Sequence, residues 1–346
     1  MKKVLVLGPG EKTRGGITSV IKAYSTSKIW SKYNCLWVET YIDKNFSLKI
    51  LYFLKSYIIF LNNLFSTNLI HIHFSQPTSA FRKSFYFFTA KFLRIKIILH
   101  FHAYSSNDTL FGSKSKLYKI MLEKSDAIIV LSGYWKEQIE KLIGSNGKIY
   151  IIFNPCSLVK TNCLFVRQKY ILFAGTINER KGYVDLLHAF SKIANIFCDW
   201  KVVFAGNGEI EQGIVIAEEL KIKSQVEFRG WVSGKDKDIL FQEASIFCLP
   251  SYFEGLPMAV LDAWSYGIPV VTTPVGGLQE FLIHKSNALV FQPGDRDHLA
   301  SLLAELIKDQ QLYQKIASES LNLARTKFDI KIIENQISDI YDSLLN

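Results

Sequence analysis

Short apolar runs alternate with amphipathic stretches along the whole chain, at the spacing of strand and helix units. In the first half the runs fall at 4–7, 35–40, 69–73, 96–101, 127–131 and 148–153. Most positions inside them are apolar on both faces, the pattern of strands covered by helices on either side of a parallel sheet. A helical stretch over 18–27 follows the first run, and two longer ones cover 48–65 and 81–96. Residues 156–169 carry no pattern, and the alternation then restarts with strands at 170–174, 202–205, 226–229, 245–249 and 270–271. Helices are expected at 183–193, 239–244 and after Pro257, and the chain beyond Asp295 reads as helix. These periods predict an α/β protein of two doubly wound parallel-sheet domains, 1–160 and 161–329.

Two helices change the picture. The stretch 48–65 is apolar nearly all round, interrupted by Lys49, Lys55, Ser56, Asn62 and Asn63, and 81–96 mixes six Phe or Tyr with Arg82, Lys83, Lys91 and Arg94. Aromatic side chains flanked by basic ones suit a membrane interface, while packing on the sheet accounts for them equally well. No run of 18 uncharged apolar residues occurs, so no transmembrane span is expected, and the N-terminus reads as a strand and lacks signal-peptide features. The net charge of +10 is unevenly spread: residues 1–160 hold 23 Lys and Arg against 8 Asp and Glu, and the remainder 18 against 23. The basic half suits an acidic substrate or an anionic membrane surface, and no nucleic-acid motif accompanies it. Five cysteines without a C-x-x-C pairing argue for buried thiols in a reducing compartment rather than a metal site.

Candidate chemistry gathers where strands end. After the first strand, residues 8–17 form a glycine-rich turn containing Gly15 and Gly16, a place where a doubly wound sheet brings backbone to a ligand, although it is neither G-x-G-x-x-G nor a Walker loop. His71 and His73 end one strand and His100 and His102 the next, so alternation points each pair to one face. Positioning of a ligand, a zinc site and plain core packing are all compatible with that. In the second half Gly175 to Gly182 encloses Arg180 and Lys181, Gly206 opens another helix, and Gly230-Trp231 follows a strand. The longest such stretch, 249–280, has a strand ending at Pro250, a loop with Glu254, Gly255 and Leu256, and a helix opened by Pro257 that carries Asp262 in its second turn. Loop amides beside a helix N-terminus suit a phosphate. Asp236-Lys237-Asp238 has the spacing of a D-x-D metal motif, but acidic residues opening a helix explain it, as they explain Asp295 and Asp297.

Glu254 to Asp262, in its frame of P-S-x-x-E-G and P-V-x-x-x-x-x-G-G-x-x-E, resembles the E-x7-E signature of retaining glycosyltransferases of family 4, with Asp262 in place of the second Glu. Gly175 to Gly182 resembles that family's G-R-L-x-x-x-K-G segment, with Lys181 matching the lysine and Thr176 standing where an Arg is usual. Lys12 to Ile17 is similar to the K-T-G-G-L of glycogen synthases, interrupted by Arg14. The resemblance implies the GT-B fold, two Rossmann-like domains facing across a cleft, with a C-terminal helix at 330–346 crossing back to complete the first. It implies transfer of a hexosyl-type sugar, with retention and without a metal, from a nucleoside diphosphate sugar to a hydroxyl of a glycan or lipid-linked acceptor in surface polysaccharide synthesis. No cofactor beyond that co-substrate is implied. Among site residues, Glu254, His102 and Lys181 would serve catalysis, and Gly15, Gly16, Arg180, Gly206, Trp231, Gly255, Leu256 and Asp262 would bind the donor. The enzyme is expected in the cytoplasm, peripheral on the inner face of the membrane. A nucleotide sugar 2-epimerase of the same fold and a catalytically silent partner subunit remain alternatives.

Overall fold

The computed structural model describes residues 2–145, 147–156 and 166–346, so the expected boundary between 160 and 161 lies outside the described residues, as does Cys163. The chain divides into two units, one of Met1–Pro155, Glu254–Leu256 and Asp329–Asn346, the other of Cys156–Phe253 and Pro257–Phe328.

The first unit runs β1 (Val4–Gly8), α1 (Gly16–Ser25), α2 (Lys28–Lys32), β2 (Leu36–Glu39), α3 (Phe46–Leu64), β3 (Leu69–Phe74), α4 (Pro77–Phe92), β4 (Lys96–Phe101), α5 (Ser115–Lys124), β5 (Ala127–Val130), α6 (Gly133–Ile143) and β6 (Ile149–Ile151). Its six strands are parallel, in the order β2-β1-β3-β4-β5-β6. Strands β1, β3 and β5 are buried throughout and β4 in all but Lys96, as helix-covered parallel strands must be. The expected helix over 81–96 begins earlier, with Pro77 at its first position where the missing N–H costs nothing, and ends at Phe92. Arg94 then takes a positive φ of 58° and turns the chain into β4. The short helix α2 carries too few residues for a period and was not expected. The strand expected over 148–153 is shorter, at Ile149–Ile151.

The second unit runs β7 (Gln168–Ala174), α7 (Tyr183–Ser191), β8 (Lys201–Ala205), α8 (Ile210–Glu219), β9 (Val226–Phe228), α9 (Lys235–Glu243), β10 (Ala244–Leu249), α10 (Met258–Ser265), β11 (Val270–Thr272), β12 (Leu289–Val290), α11 (Arg296–Lys308) and α12 (Gln310–Leu323). Its parallel sheet has the order β12-β11-β10-β7-β8-β9. The helix expected over 239–244 starts instead at Lys235, after Gly234, so that Asp236 and Asp238 sit in its first turn. Asp295 caps α11 by accepting from the His298 N–H at 2.9 Å, so both acidic pairs stand at helix starts.

The last helix, α13 (Ile330–Leu345), belongs to the first unit and lies against α1, α2 and β3. It buries Ile333, Ile337, Ile340 and Tyr341 along one stripe. Among the described residues, no helix is long and apolar enough to cross a membrane.

Candidate functional site

In an open doubly wound sheet the strand order reverses at one point, and the loops leaving the carboxyl ends there diverge to leave room for a ligand. In the second unit that point falls between β7 and β10. The loop after β7 carries Gly175 and Lys181, and its backbone meets the turn after β8 closely: a Cβ on Gly206 would lie 1.7 Å from the Gly175 carbonyl oxygen. A Cβ on Gly175 would in turn lie 3.2–3.3 Å from the Cδ, Cε and Nζ of Lys181. The lysine stem therefore lies along a bare backbone; at 206 glycine is a steric requirement, and at 175 a φ of 147° favours it. Asn178 accepts from the Lys181 N–H at 3.1 Å and fixes the short turn that presents the side chain.

Around this turn the loop after β10 is tied down. The Arg180 carbonyl accepts from the Tyr252 N–H at 2.8 Å, and an Arg180 guanidinium N–H donates to the Phe253 carbonyl at 2.5 Å. The Tyr252 hydroxyl donates to the carboxylate of Asp185 at 2.8 Å, and Arg296 donates to the same buried carboxylate at 2.7 Å. Asp262 is ion-paired with Lys237 at 2.5 Å. Trp231 follows Gly230 at the end of β9 with its ring partly exposed, and Thr176 is exposed. A lysine amid close-packed glycine turns at the ends of adjacent parallel strands offers a cation and backbone donors, which is what a diphosphate needs.

In the first unit the strand order reverses between β1 and β3. Gly15 caps α1 and Gly16 is its first residue, so the glycine turn opens a helix beside this point. The four histidines form one stacked column. The register pairs His73 with His100, and ring centroids are 4.4 Å apart for His71–His73, 4.7 Å for His73–His100 and 4.2 Å for His100–His102. His71 is hydrogen-bonded through Nδ1 to the Tyr341 hydroxyl at 2.7 Å and through Nε2 to His100 Nδ1 at 3.2 Å. His73 Nδ1 meets His102 Nε2 at 3.0 Å. Burial pushes the imidazole pKa of His71 down to about 3 and those of His73 and His100 well below 6.5. His102, half-buried at the end of the column, is also lowered to about 3, first by desolvation and then by Lys83 and His71. Nitrogens of His71, His73 and His100 lie within 4.8 Å of one another, a spacing an ion could use. Both nitrogens of His71 are already engaged, so metal binding there would break the bond to Tyr341 or to His100.

Glu254, Gly255 and Leu256 group with this unit, Glu254 and Leu256 buried. The Leu256 carbonyl accepts from Asn154 Nδ2 at 2.8 Å, and a Cβ on Gly255 would approach the Ala103 carbonyl oxygen to 2.7 Å. The structure thus gathers Gly175, Lys181, Arg180 and Gly206 in the second unit, and His102 in the column of the first. The supporting groups Asp185, Lys237 and Tyr341 escaped the sequence reading because their partners lie 25 to 270 residues away. Lys83 was visible only as one basic residue in an aromatic helix.

Residues 160–322 match the family model of glycosyl transferases group 1. An uncharacterized glycosyltransferase of Haemophilus influenzae is 30% identical over 246 residues, which span 70% of this chain and 69% of that protein. The N-acetyl-alpha-D-glucosaminyl L-malate synthase of Bacillus anthracis is 23% identical over 298 residues, 80% of this chain and 75% of that one. The crystal structure of the Anabaena protein HepE in complex with UDP-glucose matches with a TM-score of 0.79 at 17% identity, over 99% of this chain and all of that one. Sucrose-phosphate synthase from Thermosynechococcus elongatus matches with a TM-score of 0.77 at 15% identity, over 99% of both chains.

Proposed function

The chain belongs to the group 1 glycosyl transferases and has the GT-B fold, and from that premise we propose that it moves a sugar, with retention, from a nucleoside diphosphate sugar to a hydroxyl of a glycan or lipid-linked acceptor. The observation that carries the donor reading is the Lys181 side chain laid along the close-packed turns of Gly175 and Gly206. The UDP-glucose in the HepE complex supports uridine as the base to test first. In this reading the second unit binds the donor nucleotide and the first the acceptor.

The chemistry asks for stabilisation of a departing diphosphate and of positive charge developing on the sugar. Lys181 serves the first, through a charge-assisted contact that strengthens as the bond to the sugar breaks. Glu254 and His102 are assigned to the sugar and Asp262 to the ribose. A neutral His102 suits a sugar hydroxyl, since its depressed pKa keeps it uncharged at neutral pH. Asp262 must exchange its Lys237 partner for ribose hydroxyls or hold both. Arg180 braces the loop after β10 through the Phe253 carbonyl, and its contribution to the diphosphate is then an indirect one. No metal is required in this scheme. Acceptors of surface polysaccharide type and peripheral attachment to an anionic membrane fit the basic first unit, whose α3 and α4 expose apolar side chains.

The test is a calorimetric screen of nucleoside diphosphates and their sugars. UDP is expected to bind, and Lys181→Ala to weaken it about tenfold to a hundredfold, the worth of one hydrogen bond to a charged group. Glu254→Gln should lower turnover about a hundredfold while UDP still binds, and activity should persist in EDTA. Unchanged UDP affinity in Lys181→Ala would remove the lysine from the diphosphate site.

A further inference from the structure

Lys83 lies in the second turn of α4, whose first residues follow β3 at the point where the strand order of the first unit reverses. Its side chain is wholly buried, and its Nζ donates to Ser79 Oγ at 3.2 Å. Among the described residues no carboxylate pairs with it, and the charge acting on it is that of its neighbour Arg82, which repels it. A buried ammonium left in this state is expensive, and a protein retains one when something else supplies the counter-charge. Nearby polar atoms are also unspent. Lys83 is close enough to His73 and His102 to repel their protonated forms, and the buried Nε2 of His73 and the Nε2 of Gln76, the residue capping α4, have no hydrogen-bond partner. His102, which is hydrogen-bonded to His73 at 3.0 Å, is half-buried and the most exposed of the four histidines.

We propose that Lys83, with Ser79, Gln76 and His73, forms a recognition subsite for an acidic group, a phosphate or a carboxylate, carried by the sugar acceptor. This rests on the reading of the first unit as the acceptor side. An oxyanion there takes a charge-assisted bond from Nζ and accepts from the amide of Gln76, and so satisfies groups that otherwise stay buried and unpaired. Burial holds the ammonium pKa well below its ordinary value in the absence of such a group, and an arriving anion favours the charged form again.

The experiment uses the full chain and probes built on one backbone: glycerol, glycerate and glycerol 3-phosphate at matched ionic strength, followed by calorimetry, with UDP as the donor-side control. The anionic probes are expected to bind and glycerol not to, and Lys83→Met should weaken the anions about tenfold to a hundredfold while UDP affinity stays within about twofold. Methionine fills the same buried space without a charge, so the variant should fold. If it does not, the comparison of the three probes on the wild type decides alone. Lysophosphatidate carries the same phosphate on a lipid tail: binding tighter than glycerol 3-phosphate assigns the group to a lipid-linked acceptor, and equal or weaker binding to a soluble one. A wild type that binds UDP but treats all three probes alike, or a Lys83→Met variant that binds the anions as the wild type does, overturns the subsite and leaves the donor reading intact. Binding of the anions without UDP overturns the donor reading and leaves the subsite.

Discussion

At the scale of single residues the histidine column makes a prediction with a definite sign. His71 is fully buried, and its pKa falls from 6.5 to about 3 through desolvation. The unfolded chain therefore takes up a proton near pH 6.5 that the folded chain refuses until about pH 3. Stability contributed by the neutral ring is present above 6.5 and is lost as pH falls between the two values. For one such histidine the slope between pH 6 and 4 is about 1.4 kcal/mol per pH unit, and His73 and His100 act in the same direction, although the stacked rings titrate together. Urea midpoints should therefore drop between pH 7.5 and 5.5, and His71→Phe should flatten the profile by about one proton. A midpoint that stays constant over that range would mean the column is charged in the folded protein. The two H-x-H motifs and their common face were legible in the sequence. Their hydrogen bonds were not, because the Tyr341 that closes the column comes from the far end of the chain.

Elements show where one reading of the pattern gives way to another. Helix α3 is apolar nearly all round, yet of its 19 residues only Ser56, Phe60 and Leu64 are fully buried. Leu51 is 63% exposed, Leu54 52% and Ile58 59%, at a spacing that puts them on one outer face. On α4, Phe81, Phe85, Phe88 and Phe92 repeat the arrangement at 54%, 47%, 41% and 85%. The sheet packing expected as one alternative thus accounts for the inner stripe of each helix and leaves the outer one uncovered, more apolar surface than a solvated helix carries. On the proposed attachment to an anionic membrane these side chains would enter the acyl boundary, and Lys49, Lys55 and Arg94, on the same two helices or just beyond, would meet the headgroups, whereas Lys91 is held by Asp126 at 2.8 Å. Each basic residue near such a surface contributes on the order of 1 kcal/mol. Sedimentation with vesicles should show binding to anionic lipid that weakens with salt, and Leu51→Glu with Ile58→Glu should abolish it without changing UDP affinity. Equal partition onto neutral and anionic vesicles would count against this surface.

For the whole molecule, the fold was legible because parallel, doubly covered strands leave unbroken apolar runs, and the single restart of that pattern separates two sheets. The pattern alone did not supply the exchange of chain between units: the return of helix 330–346 was an expectation from the resemblance, and the grouping of Glu254–Leu256 with the first unit was not expected at all. Helix α13 brings Ile333, Ile337, Ile340 and Tyr341 into the first unit's core. It adds the Tyr341–His71 bond, a Glu334 carboxylate accepting from the Lys28 N–H at 2.9 Å, and the hydroxyl of Tyr33 at 2.8 Å from that of Ser338. Burying four large side chains at about 1.5–3 kcal/mol each amounts to roughly 6–12 kcal/mol, comparable with the entire stability of a typical domain, about 5–15 kcal/mol. The first unit should therefore depend on a segment that follows the whole of the second in the chain. A chain ending at Asp329 is expected to lose hydrogen-exchange protection in β1 and β3 while β7, β8 and β10 keep theirs, because the second unit's sheet takes no strand from the missing segment. Protection in β1 and β3 equal to that of the full chain would show that α13 covers a core already complete without it.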